Sequence, residues 1–343
     1  MNTLRTGVIG VGALGFHHTR ILRTLPGSAF VGIHDANPQR LAEVSAQLDV
    51  EAYDEATALL DRVEACVIAV PTQAHERVAL AALERGVHVL IEKPIAHGLD
   101  AADRILAAAS ATGATVQIGH VERFNGAVRA CEPYLDNPLF VESHRLAPFN
   151  PRGTDVAVVL DLMIHDLDLV LSIMRRPVSS LAAVGVPVLT SSPDIANARI
   201  EFEGGGVANL TASRVSMKRE RKIRFFQRSG YISLDLAAGT GEFLRLRPGV
   251  NVEERLAALA AGTDADTGAD GMLAAAGLLG IVERIPLAGD GVEPLQPELA
   301  SFLAAARGES PVAVSGQDGR RALAVALEIV ERIRTHVADR DPA

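Results

Sequence analysis

The chain has 343 residues, of which 48% are hydrophobic and 22% charged, with a formal net charge of −9. That length suits about two domains, and the apolar content suffices for two buried cores, which excludes a disordered chain. The acidic balance excludes the basic face that nucleic-acid and membrane-surface proteins present, though a local pocket for an anionic small ligand is compatible with it.

From the N-terminus, short apolar runs alternate with helical patterns. Residues 6–11 read as a strand, 13–25 as a helix, 29–34 as a strand and 38–48 as a helix. A short strand at 52–53 leads to a helix over 55–60 and a fully apolar strand over 65–70. A helix at 75–84, a strand at 87–91, a helix at 99–111 and a strand at 115–118 complete the series. Strand and helix in strict alternation imply right-handed parallel βαβ units, a doubly wound sheet with both faces covered. Residues 1–121 are therefore expected to form a Rossmann domain.

The pattern then changes. A helix over 126–135 and a strand over 140–145 precede a loop rich in Pro, Asn and Gly, and 161–174 reads as a helix. Strands follow at 180–188, 195–203, 206–216, 222–228, 230–235 and 242–246. The glycine triplet 204–206 marks a hairpin. Residues 249–280 resist assignment, and helices are expected at 298–306 and 317–338. Residues 122–343 are thus expected to form an α+β domain around a large, mostly antiparallel open sheet. A second copy of the chain is the expected cover for that sheet, giving a homodimer or homotetramer.

Cys66 sits inside an apolar run and reads as a packing residue, and no Cys/His spacing suggests a metal. No leader-like segment and no membrane-length apolar run occurs, so the expected location is the cytoplasm.

Gly10, Gly12 and Gly15 form a GxGxxG turn between the first strand and the first helix. One glycine makes the tight turn, one admits a pyrophosphate to the backbone, and one lets the helix pack on the strand. The helix start at Ala13 and Leu14 adds N–H groups and positive dipole. Asp35 ends the second strand, 20 residues after Gly15, where a carboxylate accepts ribose hydroxyls and repels a 2′-phosphate. The expected cofactor is therefore NAD rather than NADP, with nearby Arg40 as the feature that argues the other way. Pro71, Thr72 and His75, then Glu92, Lys93 and Pro94, stand at the C-terminal ends of later strands, where ligands bind in such sheets.

These segments, with GHVERFN and LDLMIHDLDLVL further on, resemble the Gfo/Idh/MocA oxidoreductases over essentially the whole chain. The resemblance implies an NAD(P)-dependent enzyme acting on hydroxyl groups of sugars, inositols and their derivatives. It places Lys93 near the nicotinamide and the reacting oxygen. Burial beside a cofactor cation would lower the pKa of that lysine. Asp161 and His165, four apart on the expected helix, match the family's catalytic pair. The carboxylate would orient the imidazole for proton removal, and the choice of base between Lys93 and His165 stays open.

His120, Arg123, Asn125 and Arg152 are the expected substrate contacts. Arg214, Lys218, Arg219, Arg221 and Lys222 form a basic cluster suited to an anion such as a diphosphate, or to a solvated strand end. The motifs resemble the family's nucleotide-sugar branch most, which implies a substrate such as UDP-N-acetylglucosamine oxidised at its 3-position. An unphosphorylated sugar or inositol is the alternative substrate. A non-catalytic NAD(H)-binding sensor is the alternative of a different class.

Overall fold

A computed structural model describes residues 3–150, 156–254, 257 and 281–338. β1 (Leu4–Ile9), β2 (Ser28–His34), β3 (Ala65–Ile68), β4 (His88–Glu92) and β5 (Val116–Gly119) build a parallel sheet in the order β2-β1-β3-β4-β5. α1 (Ala13–Leu22), α2 (Pro38–Leu48), α3 (Ala56–Leu60), α4 (Thr72–Leu83) and α5 (Leu99–Thr112) run between these strands. Asn37 caps α2 by accepting from the N–H groups of Gln39 and Arg40, and Pro38 supplies the preset first turn. The expected strand at 52–53 is only a single bridge from Ala52 to Ile33. Ile9 lies beside Ile68 and Ile68 beside Ile91, so the strand ends align along one edge of the sheet.

α6 (Gly126–Cys131) is shorter than expected. Pro133 lacks an N–H, and the chain tightens there into a 3₁₀ turn at Glu132–Tyr134. β6 (Phe140–Leu146) enters a second sheet, and a π-helical turn at Val159–Met163 runs straight into α7 (Ile164–Met174). β7 (Val178–Val186), β8 (Ile195–Phe202), β9 (Val207–Ser213), β10 (Glu220–Gln227), β11 (Gly230–Asp235), β12 (Thr240–Leu246) and β13 (Val282–Ala288) complete that sheet. Its order is β13-β12-β11-β10-β6-β9-β8-β7, antiparallel except where β6 meets β9. β13 had no counterpart in the sequence reading. Most of 249–280 lies outside the described residues.

Side chains on β10 alternate as one buried face demands. Ile223 and Phe225 point into the core, while Phe226 stands on the outer face, 37% exposed. The rings of Phe140 and Tyr231 flank Phe226 there at 5.4 and 4.9 Å between centroids.

α8 (Leu295–Ala306) and α9 (Gly316–Ala338) return to the first sheet. Leu299, Phe302 and Leu303 join Leu4, Val8 and Ile33 in one core. Burial of each such side chain contributes about 1.5–3 kcal/mol. Leu323 of α9 packs into a core on the first sheet, while Ala326, Ile329 and Ile333 pack against the second. α9 therefore straddles both sheets and fixes the cleft between them. Among the described residues no helix is long and apolar enough to cross a membrane.

Candidate active site

The glycine turn shows why each of its glycines is needed. Gly10 has φ +88°, and a Cβ there would stand 2.6 Å from the Ala69 and Val70 backbone. A Cβ on Gly15 would lie 1.8 Å from the Gly10 carbonyl oxygen. At Gly12 a Cβ would meet nothing within 4 Å, because that position opens onto a groove. Gly12 is also the N-cap of α1 and offers no side-chain cap, which leaves the first N–H groups free for an anion. The residues present therefore fit a dinucleotide pyrophosphate.

The groove holds about 560 Å³ and is lined by Gly10, Gly12, Ala13, Leu14, Asp35 and Pro71, among others. Asp35 accepts from the N–H of Val11 at 2.7 Å and from that of Asn37 at 2.8 Å. A carboxylate has lone pairs beyond these two, so it remains able to receive hydroxyl donors. Arg40 is tied down: its Nε donates to the Val11 carbonyl at 2.8 Å, and Glu43 lies 3.0 Å away. These partners weaken the case for Arg40 as a receiver of a 2′-phosphate.

Leu14 also lines a second cavity, of about 610 Å³, between the two sheets. Glu92, Lys93, Asn125, Asp161 and His165 meet there with Arg145 and Arg221. Lys93 donates from Nζ to the Asp161 carbonyl oxygen at 2.7 Å, and the Asp161 carboxylate lies 3.9 Å off. Burial pulls the Lys93 ammonium below its usual range, against the pull of Asp161 and Glu92. Glu92 is buried and bonds His18 Nε2 at 2.7 Å through one oxygen, while the other accepts the Lys93 N–H at 3.2 Å. Burial opposes ionisation of Glu92, but the His18 hydrogen bond and the Lys93 charge outweigh it and hold the carboxyl below its usual range. Thr72 and Pro94 meet Lys93 and Asp161 around a smaller adjoining cavity.

The expected Asp161–His165 pairing is not what the structure contains. Asp161 falls in the π-helical turn, where the i→i+5 pattern changes the angular step that would have stacked residues four apart. It faces Lys93, and His165 Nδ1 is buried with no partner, which leaves Nε2 as the ring nitrogen available to a ligand. Burial, then the charges of Lys93 and Arg145, hold His165 well below its usual range, so the ring is neutral at pH 7.

Other anticipated residues occupy supporting places. His75 is buried, with its ring nitrogens 2.9 Å from the Pro94 and Val70 carbonyl oxygens, so it ties the loop after β3 to the loop after β4. Arg123 grips Asp168 with two bonds of 2.6 Å and does not line the cleft. Asn125 does line it, yet its amide is engaged by Glu122, the Leu236 carbonyl and the Ala127 N–H. His120 is buried with neither ring nitrogen bonded. Arg152 lies outside the described residues. Arg214 is buried against Asp194 and donates to the Val156 carbonyl, an interior anchor rather than part of a surface basic cluster.

Sequence reasoning missed a buried ionic group on the cleft wall. Arg145 bonds Asp166 at 2.7 Å and Glu122 at 3.0 Å. No local signal links these residues, or His18 to Glu92, because each pairing is made only by the fold.

A dinucleotide groove beside a cleft of ionisable side chains, with Leu14 lining both, defines an NAD-binding oxidoreductase. Residues 4–120 match an oxidoreductase family with an NAD-binding Rossmann fold, and residues 114–233 match the GFO/IDH/MocA C-terminal domain. The UDP-N-acetylglucosamine 3-dehydrogenase of Acidithiobacillus ferrooxidans is 36% identical over 328 residues, covering 95% of this chain and 96% of that protein. Its solved structure superposes with a TM-score of 0.84 over 98% of this chain and 99% of that one, at 34% identity. A scyllo-inositol 2-dehydrogenase (NAD(+)) of Bacillus subtilis is 26% identical over 62% of this chain and 68% of that protein. The chain belongs to the GFO/IDH/MocA oxidoreductase family, in keeping with the resemblance its motifs carry.

Proposed function

We propose that the protein oxidises a sugar hydroxyl to a ketone with NAD⁺, and that its substrate is UDP-N-acetylglucosamine, oxidised at the 3-position. The observation that carries this reading is the meeting of Lys93, Asp161 and His165 in one cleft that shares Leu14 as a wall with the dinucleotide groove. The substrate comes from the relative that matches end to end.

Bound NAD⁺ supplies the acceptor for the hydride leaving the carbinol carbon. The hydroxyl proton goes to a side chain, so that alcohol and NAD⁺ become ketone, NADH and one proton. Neutral His165, through Nε2, is the proton acceptor in this scheme. Lys93 Nζ, with one N–H given to Asp161, turns its others to the substrate oxygen and stabilises the charge that develops there. Asp161 holds that ammonium in place, and Glu92 and His18 brace the strand end beneath it. In this division of labour residues 1–121 hold the cofactor and 122–343 shape the substrate side.

The outer face of the second sheet, with Phe140, Phe226 and Tyr231, is the surface we assign to a homodimer or homotetramer. Both cysteines are free and buried, in keeping with the cytoplasmic location we infer.

NADH formation is measured with UDP-N-acetylglucosamine, N-acetylglucosamine and inositols. Turnover of the nucleotide sugar supports the reading. Its absence at millimolar substrate, with inositols or free sugars active, would overturn it.

A further inference from the structure

Of the five basic residues from Arg214 to Lys222, one lines the cleft, and that one is Arg221. Arg214 is buried with Asp194, while Lys218 and Arg219 are exposed in the turn before β10. Lys222 alternates onto the outer sheet face, opposite His144. Arg221 stands directly across from Arg145, so two guanidinium groups share one face of adjacent strands. Like charges in that relation are destabilising unless something neutralises both.

The compensation is uneven. Arg145 takes Asp166 and Glu122 at hydrogen-bond distance. Arg221 is left 3.8 Å from the same Glu122 oxygen that Arg145 already holds. No other described carboxylate lies within ion-pair distance of it. Other charged groups on the wall have hydrogen-bonded side-chain partners of their own: Glu92 bonds His18, and Glu293 accepts from Arg20 through both oxygens. Burial and the repulsion of Arg145 hold the Arg221 guanidinium below its usual range, the mark of a cation lacking a full partner. Its side chain is 46% exposed, so the missing partner can come from a ligand.

We propose that Arg221 is the phosphate-reading residue of the cleft and pairs with the diphosphate of the substrate. This rests on the nucleotide-sugar reading above and names the group that would separate such a substrate from a free sugar or an inositol. A planar guanidinium suits a phosphate because it donates two parallel hydrogen bonds. Glu122, shared between two arginines, remains with Arg145 when the phosphate takes over Arg221.

Kinetics with UDP-N-acetylglucosamine, and inhibition by UDP and by uridine, test this on wild-type protein, R221Q and R221K. R221Q should raise KM by about 10–100-fold and remove the advantage of UDP over uridine as an inhibitor, with the loss concentrated in KM. R221K should recover part of the affinity, since a point charge replaces the fork. A fluorescence titration with NADH on the same variants checks that the cofactor unit is intact. Wild-type KM and UDP inhibition in R221Q would overturn the role of Arg221 alone. A wild-type enzyme that ignores the nucleotide sugar but oxidises inositol would overturn the substrate reading and this inference with it.

Discussion

Lys93, at the end of a strand in the first sheet, donates its ammonium to the carbonyl oxygen of Asp161, 68 residues away in the π-helical turn before α7. That bond ties the end of the first sheet to the turn that leads into α7. Replacing Lys93 with methionine keeps the volume but removes the charge and the donors. Turnover should fall by about 10²–10⁴-fold while NAD affinity changes only a few-fold. Parallel measurements of kcat and of NADH binding check this. An unchanged kcat would remove Lys93 from the chemistry.

The glycine turn separates folding from cofactor binding. Gly12 faces open space, so G12V should leave the thermal midpoint of the cofactor-free protein within about 2 °C yet weaken NAD binding by about 100-fold or more. Gly15 packs on the Gly10 carbonyl, so G15A should fail to fold or melt far lower. Calorimetry with and without NAD distinguishes the two outcomes.

Burial lowers His75, His120 and His165 below the ordinary value of 6.5. Each is neutral in the fold at a pH where the unfolded chain has begun to take up a proton. Their contribution to stability is complete above pH 6.5 and is lost as acid is added through the folded pKa. Melting temperature should therefore hold between pH 7 and 8 and decline below 6.5. His120, with neither ring nitrogen bonded, is the residue to replace. H120F should stabilise the protein by about 1 kcal/mol and flatten that decline, as followed by melts across the pH range. A variant less stable than wild type at every pH would contradict this.

How much of this was legible in the sequence follows the range of the interactions. The glycine turn, Asp35 and the alternation of strand and helix are local, so they could be read before the fold was known. The break at Pro133 is also local, yet it shortened a helix drawn through it. Non-local pairings were not legible. Arg123 looked like a substrate contact because nothing nearby indicated Asp168, 45 residues on. Asp161 and His165 looked stacked because a regular helix was assumed, and the π-helical turn leaves no trace in the residue pattern. β13 pairs with β12 across the long segment 249–280 that carries no readable pattern, and the return of α8 to the first sheet depends on contacts with strands far back in the chain.

Phe226 on the outer sheet face tests the proposed assembly. F226E places a charge among Phe140 and Tyr231 and should shift the protein from a dimer or tetramer to a monomer, as read by light scattering. A wild-type protein that is monomeric at micromolar concentration would remove the premise.

The central claim is that oxidation occurs at the 3-position of UDP-N-acetylglucosamine, and deuterium placed at that carbon tests it most directly. With the labelled substrate and NAD⁺, mass spectrometry should find the deuterium in NADH, and turnover should slow by a primary isotope effect. Unlabelled NADH formed at the full rate would show that another carbon is oxidised, and absence of NADH would contradict the substrate outright.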